Sequence, residues 1–421
     1  KLVNKWLSIS SMVQLGFNAL AHLGNVATGT AMQNIEAFSG HYFNANELLH
    51  ADAQYAKELM KFLPEVESKN PTNKLALFDQ LFDIKQEFES NTKNRMNTMF
   101  EKLFGKSLAF LGQTCGDHWL YNRTAIAMCL RKKVRTRDGS ITTLWEALHV
   151  ENAFEGDDRI KKLVIDAVDA KTGEKIDREY IRKYSAKISE INHRLFGVYN
   201  TDDMVAAQRV ALGRCVLQYR QWIVPMFARR FQERKYVAAL DEYEEGYYRT
   251  VLNLVAGLKN GLGGIAEVWD DFDEGQKRNC YRALVEVTQF MLIWAIANFM
   301  DFGKGDPARS WRWKLAEYMA QRELHELGNL TPSFTMGNEI LKTVKSPATA
   351  LNTIQATLNL VSSVLDPRDW NNEIESGKYE GMSTLHKNIL KAPLPILSPF
   401  NQLDRLIDNI DEVTKYYARP N

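Results

Sequence analysis

The chain has 421 residues, enough for two or three domains of ordinary size, and its 45% hydrophobic and 25% charged residues are typical of a globular protein. Because 53 basic residues balance 52 acidic ones, the composition excludes a strong overall attraction to nucleic acid or anionic lipid, so such contacts require a local patch. Four widely spaced cysteines form no CxxC pair, which indicates free thiols and folding in a reducing compartment.

The N-terminal stretch, residues 7–35, contains no Lys, Arg, Asp or Glu and is rich in small, weakly polar residues. Small residues let helices approach each other closely, in water or in lipid. We interpret this stretch as a tightly packed helix or helix pair; the alternative is a segment that enters a membrane or an assembly interface. The chain begins with Lys1 and has no basic, apolar leader, so we expect no signal peptide. The missing initiator Met indicates either a processed product or a piece of a longer protein.

Helix-spaced apolar residues recur along most of the chain. They are clearest in residues 177–197, where Asp177 is the predicted N-cap and Gly197 the predicted C-terminal glycine. The same spacing predicts further helices at residues 74–90, 94–111, 286–300, 312–327 and 400–417, and we expect the chain after Gly197 to be helical again.

Two turn signals interrupt the helical pattern. Asp138-Gly139 predicts a hairpin turn, and Thr143 with Glu146 predicts a capping box for a short helix. A second turn is predicted near Thr172-Gly173.

The predicted fold is therefore mainly α, a multi-helix body of helical hairpins with a small β-hairpin element around residues 130–177. The predicted regions are an N-terminal helical region (1–130), the β-hairpin element with a capping helix (131–197), a central helical region (198–330), and C-terminal helices with Pro-rich connectors (331–421).

The most apolar stretch, residues 287–300, lies between Glu286 and Asp301 and carries no charge. A helix needs about twenty apolar residues to span a bilayer, and shorter stretches more often mark a core helix. We therefore predict a buried helix here rather than a membrane-spanning one.

The chain offers no recognisable catalytic, metal or cofactor motif. Cys115 and His118 stand one helical turn apart but lack the second pair of ligands that structural zinc requires. His325 has no second histidine for an HExxH motif, and the glycines at 257–264 are not followed by the Lys-Ser/Thr of a P-loop. The DxDGD signature of large polymerases is also absent from the sequence. We therefore expect a protein that is not an enzyme and needs no metal or cofactor.

A basic run is the one candidate binding site in the sequence. It consists of Arg131, Lys132, Lys133, Arg135 and Arg137 on a predicted strand. These side chains are candidates for nucleic-acid contact, which would make binding depend on salt. The alternative is a solvated hairpin, because strand alternation divides such a run between two faces.

Residues 215–255 have an unusual charge pattern. An amphipathic helix with the Arg229-Arg230 doublet precedes an acidic group, and opposite charges in neighbouring turns predict a helical hairpin. This segment resembles stretches of very large virion proteins of crAss-like bacteriophages. Residues 25–55 and 377–406 resemble further stretches of the same proteins, so the resemblance covers pieces along most of the chain.

The resemblance implies a non-enzymatic virion protein: a cargo or ejection protein packaged in the tail or capsid and delivered into the host with the DNA. The implied partners are tail, portal or capsid proteins, further copies of this chain, and transiently DNA or the host membrane. Two alternatives stay open. One is a non-catalytic fragment of a virion-packaged RNA polymerase, and the other is an unrelated α-helical scaffolding or interaction protein.

Overall fold

A computed structural model describes residues 19–62, 72–84, 111–155, 158–197, 223–301, 348–376 and 379–391. Over these ranges the chain is mainly α, with small antiparallel strand pairings, which confirms the predicted fold class. The helices predicted at 312–327 and 400–417 lie outside the described residues, as do all but the last residue of the helix predicted at 94–111 and the first part of the charge-free stretch.

The helices, in chain order, are α1 (Ala19–Ser39), α2 (Ala45–Phe62), α3 (Lys74–Leu81), α4 (Leu111–Arg131), α5 (Leu144–Ala147), α6 (Arg178–Phe196), α7 (Ile223–Phe231), α8 (Tyr247–Ala256), α9 (Gly261–Asp271), α10 (Glu274–Asp301), α11 (Ala348–Leu365), α12 (Arg368–Asn371) and α13 (Thr384–Leu390). The strands are β1 (Lys133–Thr136), β2 (Ile141–Thr143), β3 (His149–Glu155), β4 (Asp158–Val164), β5 (Ala167–Asp169), β6 (Lys235–Val237) and β7 (Glu242–Glu244).

Helix α4 lies at the centre of the main hydrophobic core and packs against α1, α2 and α6. Two glycines allow α1 and α4 to approach closely. A Cβ atom added to Gly29 would lie 2.4 Å from Leu120 Cδ1, and one added to Gly116 would lie 2.5 Å from Val26 Cγ2. The small residues of the charge-free stretch therefore serve close helix packing within the described part of that stretch, as predicted.

The predicted β-element is confirmed in its main features. Strands β1 and β2 form an antiparallel hairpin, and Gly139 in its turn has a φ of 84°, which favours glycine. Strand β5 pairs with the other side of β1, giving the order β2-β1-β5. Thr143 and Glu146 form the predicted capping box at the start of α5. A separate β3–β4 hairpin, which the sequence pattern did not reveal, follows α5.

Helix α6 has the predicted caps. The Asp177 carboxylate accepts a hydrogen bond from the Tyr180 backbone amide at 2.9 Å, and Gly197 ends the helix with a φ of 95°. The helix buries Ile181, Ile188 and Leu195 against the core, which positions Lys187 and Arg194 beside them for the contacts described below.

We expect Asp177→Ala to lower the free energy of unfolding by about 1 kcal/mol, because one N-terminal amide of α6 loses its acceptor. Urea denaturation followed by circular dichroism measures the loss. Asp177→Asn is the matched control, since it keeps a side-chain oxygen at the same position and is expected to retain most of the stability. Equal losses in both variants would contradict the capping role.

The helical hairpin predicted for residues 215–255 is wrong. Helix α7 ends at Phe231, and the strands β6 and β7 follow as an antiparallel hairpin with Asp241 at a φ of 57°. The Tyr236 hydroxyl donates to the Asp241 carboxylate and closes the turn. Tertiary contacts override the local charge pattern, because the acidic side chains of β7 pair with basic groups of distant helices.

The apolar stretch 287–300 is helical, as part of α10, but the prediction of a buried helix is wrong for several of its described side chains. Met291 and Leu292 are 61% and 59% exposed, and Leu284, just before the stretch, is 63% exposed, whereas Arg282 and Glu286 are buried. Helix α10 thus turns two charged residues, Arg282 and Glu286, toward the interior and leaves several apolar side chains exposed. Among the described helices, none combines the length and the hydrophobicity that crossing a bilayer requires.

Candidate functional site

An ionic network lies buried where α1, α6, α7, β7 and α10 meet. At its centre the Glu36 carboxylate accepts two hydrogen bonds from Arg282, at 2.7 and 3.0 Å, and one from Arg229 at 3.1 Å. All three side chains are at most 6% exposed. The bidentate contact of Arg282 with Glu36 is the strongest geometry for a guanidinium–carboxylate pair.

A second part of the network joins α6 to β7. The Arg194 guanidinium donates to Glu244 at 3.1 Å and pairs with its other oxygen at 3.0 Å. The Tyr42 hydroxyl, from the turn after α1, donates to the same carboxylate. Burial alone would raise the pKa of Glu244, but the charges of Arg194 and Arg282 hold it below its usual value. Glu244 therefore remains ionised at neutral pH.

A third part joins α7 to α10. Arg230 is fully buried, and its guanidinium donates to the Glu286 carboxylate at 2.5 and 3.0 Å. The Tyr247 hydroxyl donates to the other Glu286 oxygen. These contacts explain why α10 turns Glu286 inward: a buried guanidinium requires a buried carboxylate.

The network is built for structure rather than for chemistry. Burial would raise the pKa of Glu36, yet the charges of Arg282 and Arg229 and the Arg282 hydrogen bond lower it to about 2. A carboxylate that is always ionised near neutral pH is a poor general acid or base. The space enclosed by these residues is about 10 Å³, roughly one water position, so it cannot hold a substrate.

One group of three metal-ligating side chains occurs in the described part of the chain: His41, Glu242 and Glu244, with ligand atoms within 4.8 Å of one another. Their oxygens already have partners. Glu242 contacts His41 Nε2 at 2.7 Å and Lys187 Nζ at 3.0 Å, and Glu244 is paired with Arg194. Because a divalent cation would meet two fixed cations here, the donor set fits ion pairs better than it fits a metal.

A second candidate site, the basic cleft, opens beside this network and has a volume of about 690 Å³. Its lining residues are His41, Tyr42, Met128, Arg131, Lys132, Lys133, Asp169, Ala170, Lys171, Tyr184, Lys187 and Glu242. Three residues of the predicted basic run, Arg131, Lys132 and Lys133, thus lie in one concave surface. Arg135 and Arg137 do not line it.

Two basic side chains of the cleft neutralise its two carboxylates. Lys132 pairs with Asp169, and Lys187 pairs with Glu242 at 3.0 Å. Burial would raise the pKa of Asp169, but hydrogen bonds from Lys132, from the Lys171 backbone amide and from Tyr180 hold it well below its usual value. The two carboxylates therefore stay ionised and paired.

The sequence-predicted residues are only partly brought together. Cys115 is exposed, whereas His118 is buried between Asp79 and Tyr55, with nitrogen–oxygen distances of 2.8 and 2.9 Å, so the two do not converge on a metal. Sequence reasoning missed Glu36 and Arg282, although Glu36 is the first charged residue after the charge-free stretch.

The sequence matches no protein-family model, and comparison with curated proteins and with solved structures finds no match.

Proposed function

We propose that the chain is a non-enzymatic virion protein of a crAss-like bacteriophage, a cargo or ejection protein packaged in the tail or capsid and delivered into the host with the DNA. One observation carries the proposal. Residues 25–55 and 215–255, two of the segments that resemble phage virion proteins, contact each other through the buried ionic network and its rim. Arg229 pairs with Glu36, His41 with Glu242, and the Tyr42 hydroxyl with Glu244.

The contacts between residues 25–55 and 215–255 explain why both segments resemble the same proteins. A shared catalytic site would place reactive groups around an accessible cavity, whereas these segments place charged groups against each other in the interior. Buried ion pairs of this kind restrict which helices can pack together. The resemblance is thus best understood as a shared folding core, which is what a structural virion protein needs.

The exposed apolar side chains of helix α10 support an assembly role. Exposed apolar side chains such as Leu284, Met291 and Leu292 are typical of surfaces that pack against another protein. Two charged residues of this helix, Arg282 and Glu286, are instead turned inward. The partners we propose are tail, portal or capsid proteins, or further copies of this chain.

Quantitative mass spectrometry of purified phage particles tests the proposal, before and after triggered release of the DNA. We expect peptides from this chain to be abundant in full particles and depleted from emptied ones, relative to peptides of the major capsid protein. Unchanged abundance would make the chain a fixed structural part. Absence from particles would overturn the virion assignment and leave an unrelated α-helical scaffolding protein.

A second candidate function, a non-catalytic module of a virion-packaged RNA polymerase, is favoured by the basic cleft alone. Such a module would contact nucleic acid without carrying the catalytic aspartates, and the sequence has no DxDGD signature. Co-purification of this chain with polymerase activity from particles would favour it. Particles that contain the chain but no such activity would leave the cargo role as the better account.

A further inference from the structure

The basic cleft carries more positive charge than its own carboxylates can neutralise. Five basic residues line it against two acidic ones. Lys132 and Lys187 are paired with the two carboxylates. The exposed Arg131 donates to the Gly40 carbonyl at 3.1 Å and makes a long contact of 3.5 Å with Glu47, so a strong ion pair does not neutralise its charge. Lys133 and Lys171 are exposed and form no ion pair with any residue that the structure describes.

The positions of the unpaired lysines follow from the sheet. The Lys133 carbonyl accepts a hydrogen bond from the Ala170 amide at 3.2 Å, so the chain at Lys171 runs beside β1. Lys133 and Lys171 therefore share one wall of the cleft, although they are far apart in sequence. Helix α6 forms another wall, which carries Tyr184 and Lys187. A ligand in the cleft meets cations from several elements.

The chemistry of the lining selects among anionic ligands. Its apolar members are Met128, which is buried, and Ala170, so it offers no broad apolar surface for acyl chains. The Tyr184 hydroxyl donates to the Met128 carbonyl at 2.8 Å and the Tyr42 hydroxyl to Glu244, so these groups are already used within the protein. Exposed lysines that meet phosphates give binding without sequence preference.

The volume restricts the ligand further. A cleft of about 690 Å³ has the size of a site for a small ligand or for a few nucleotides of one strand. The major groove of a duplex is about 12 Å wide, and the duplex as a whole is wider still, so a cleft of this volume is too small to enclose one. Positively charged grooves follow the backbone of single strands in other nucleic-acid-binding proteins.

We propose that the basic cleft binds the phosphodiester backbone of a single nucleic-acid strand, without sequence preference, through Arg131, Lys133 and Lys171. The inference rests on the geometry of the cleft and not on the proposed virion role. It also separates the predicted basic run into two parts, because Arg135 and Arg137 lie outside the cleft lining.

Fluorescence anisotropy of the full chain with a labelled mixed-sequence single-stranded DNA tests the proposal. The double variant Lys133→Glu/Lys171→Glu is expected to weaken binding at least about tenfold at low salt. Its slope of log Kd against log salt should fall by about 1.4, since two phosphate contacts to a single strand are lost. Circular dichroism spectra and thermal midpoints of the two proteins should agree, because both lysines are exposed.

The matched control is Arg135→Glu/Arg137→Glu, which changes the net charge equally on β1 and the turn after it, but outside the cleft lining. We expect it to change Kd less than about twofold at the same salt. An equal loss in both double variants would overturn the proposal in favour of diffuse surface attraction. So would the absence of binding by the unmodified chain, a duplex that binds as tightly as the strand, or tighter binding to vesicles of anionic phospholipid.

Discussion

Replacing Glu36 by Gln is expected to lower the free energy of unfolding by about 3–5 kcal/mol. The variant removes the charge that Arg229 and Arg282 share, and both guanidinium groups are almost fully buried. Glutamine has nearly the same shape but cannot accept from two arginines with a full charge. The decrease in the free energy of unfolding is therefore the cost of leaving two buried guanidinium groups without a full counter-charge. Urea denaturation followed by circular dichroism measures this decrease.

The control for this substitution is Glu179→Gln. Glu179 pairs with Lys183 at 3.3 Å on the surface of α6, where both side chains are more than half exposed. Exposed pairs of this kind contribute less than about 1 kcal/mol, so the same chemical change should have little effect there. Comparable losses at Glu36 and Glu179 would show that the buried network is not what holds the helices together.

The fold was predictable where the signal is local. The caps of α6 at Asp177 and Gly197 and the capping box at Thr143 depend on residues a few positions apart, and each appears as predicted. The ionic network was not predictable, because Glu36 and Arg282 are 246 positions apart in the chain. Nothing in the sequence around either residue reveals its partner.

Helix α10 shows why hydrophobicity alone misled the prediction. Its apolar residues suggest a buried helix, but Arg230 and Glu36 require Glu286 and Arg282 to face inward. A helix that turns these two charged residues to the core must turn other residues outward, and here those include Met291. The orientation of the helix is set by ion pairs with distant elements. The spacing of apolar residues along the sequence gives no information about those ion pairs.

Only part of the lining of the basic cleft could be predicted from the sequence. The run from Arg131 to Lys133 was visible in the sequence, and the structure places it in the cleft. Lys171 and Lys187 join it only because β5 pairs with β1 and α6 packs beside α4. Such convergence depends on strand pairing and helix packing, so the sequence reveals the charges but not their arrangement.

Acid is expected to destabilise the chain as the pH falls from about 4.5 toward 2. The pKa of Glu36 is about 2 in the folded state, below its ordinary value of 4.5, and the same holds for Glu242, where burial is outweighed by His41 and Lys187. The unfolded chain therefore binds more protons in this window. Stability is complete above the ordinary pKa and is lost as the pH falls through the folded-state pKa.

Glu36 alone accounts for about 3 kcal/mol of this dependence, of which about 2 kcal/mol disappears between pH 5 and pH 3. Free energies of unfolding measured by urea denaturation at these two pH values test the sign and the size. Glu36→Gln removes the titrating group, so its stability should depend on pH less steeply than that of the unmodified chain. If both proteins lose the same free energy of unfolding over this interval, protonation of Glu36 is not what breaks the network. Protonation of Glu242 and Glu244 would then explain the loss of stability in acid.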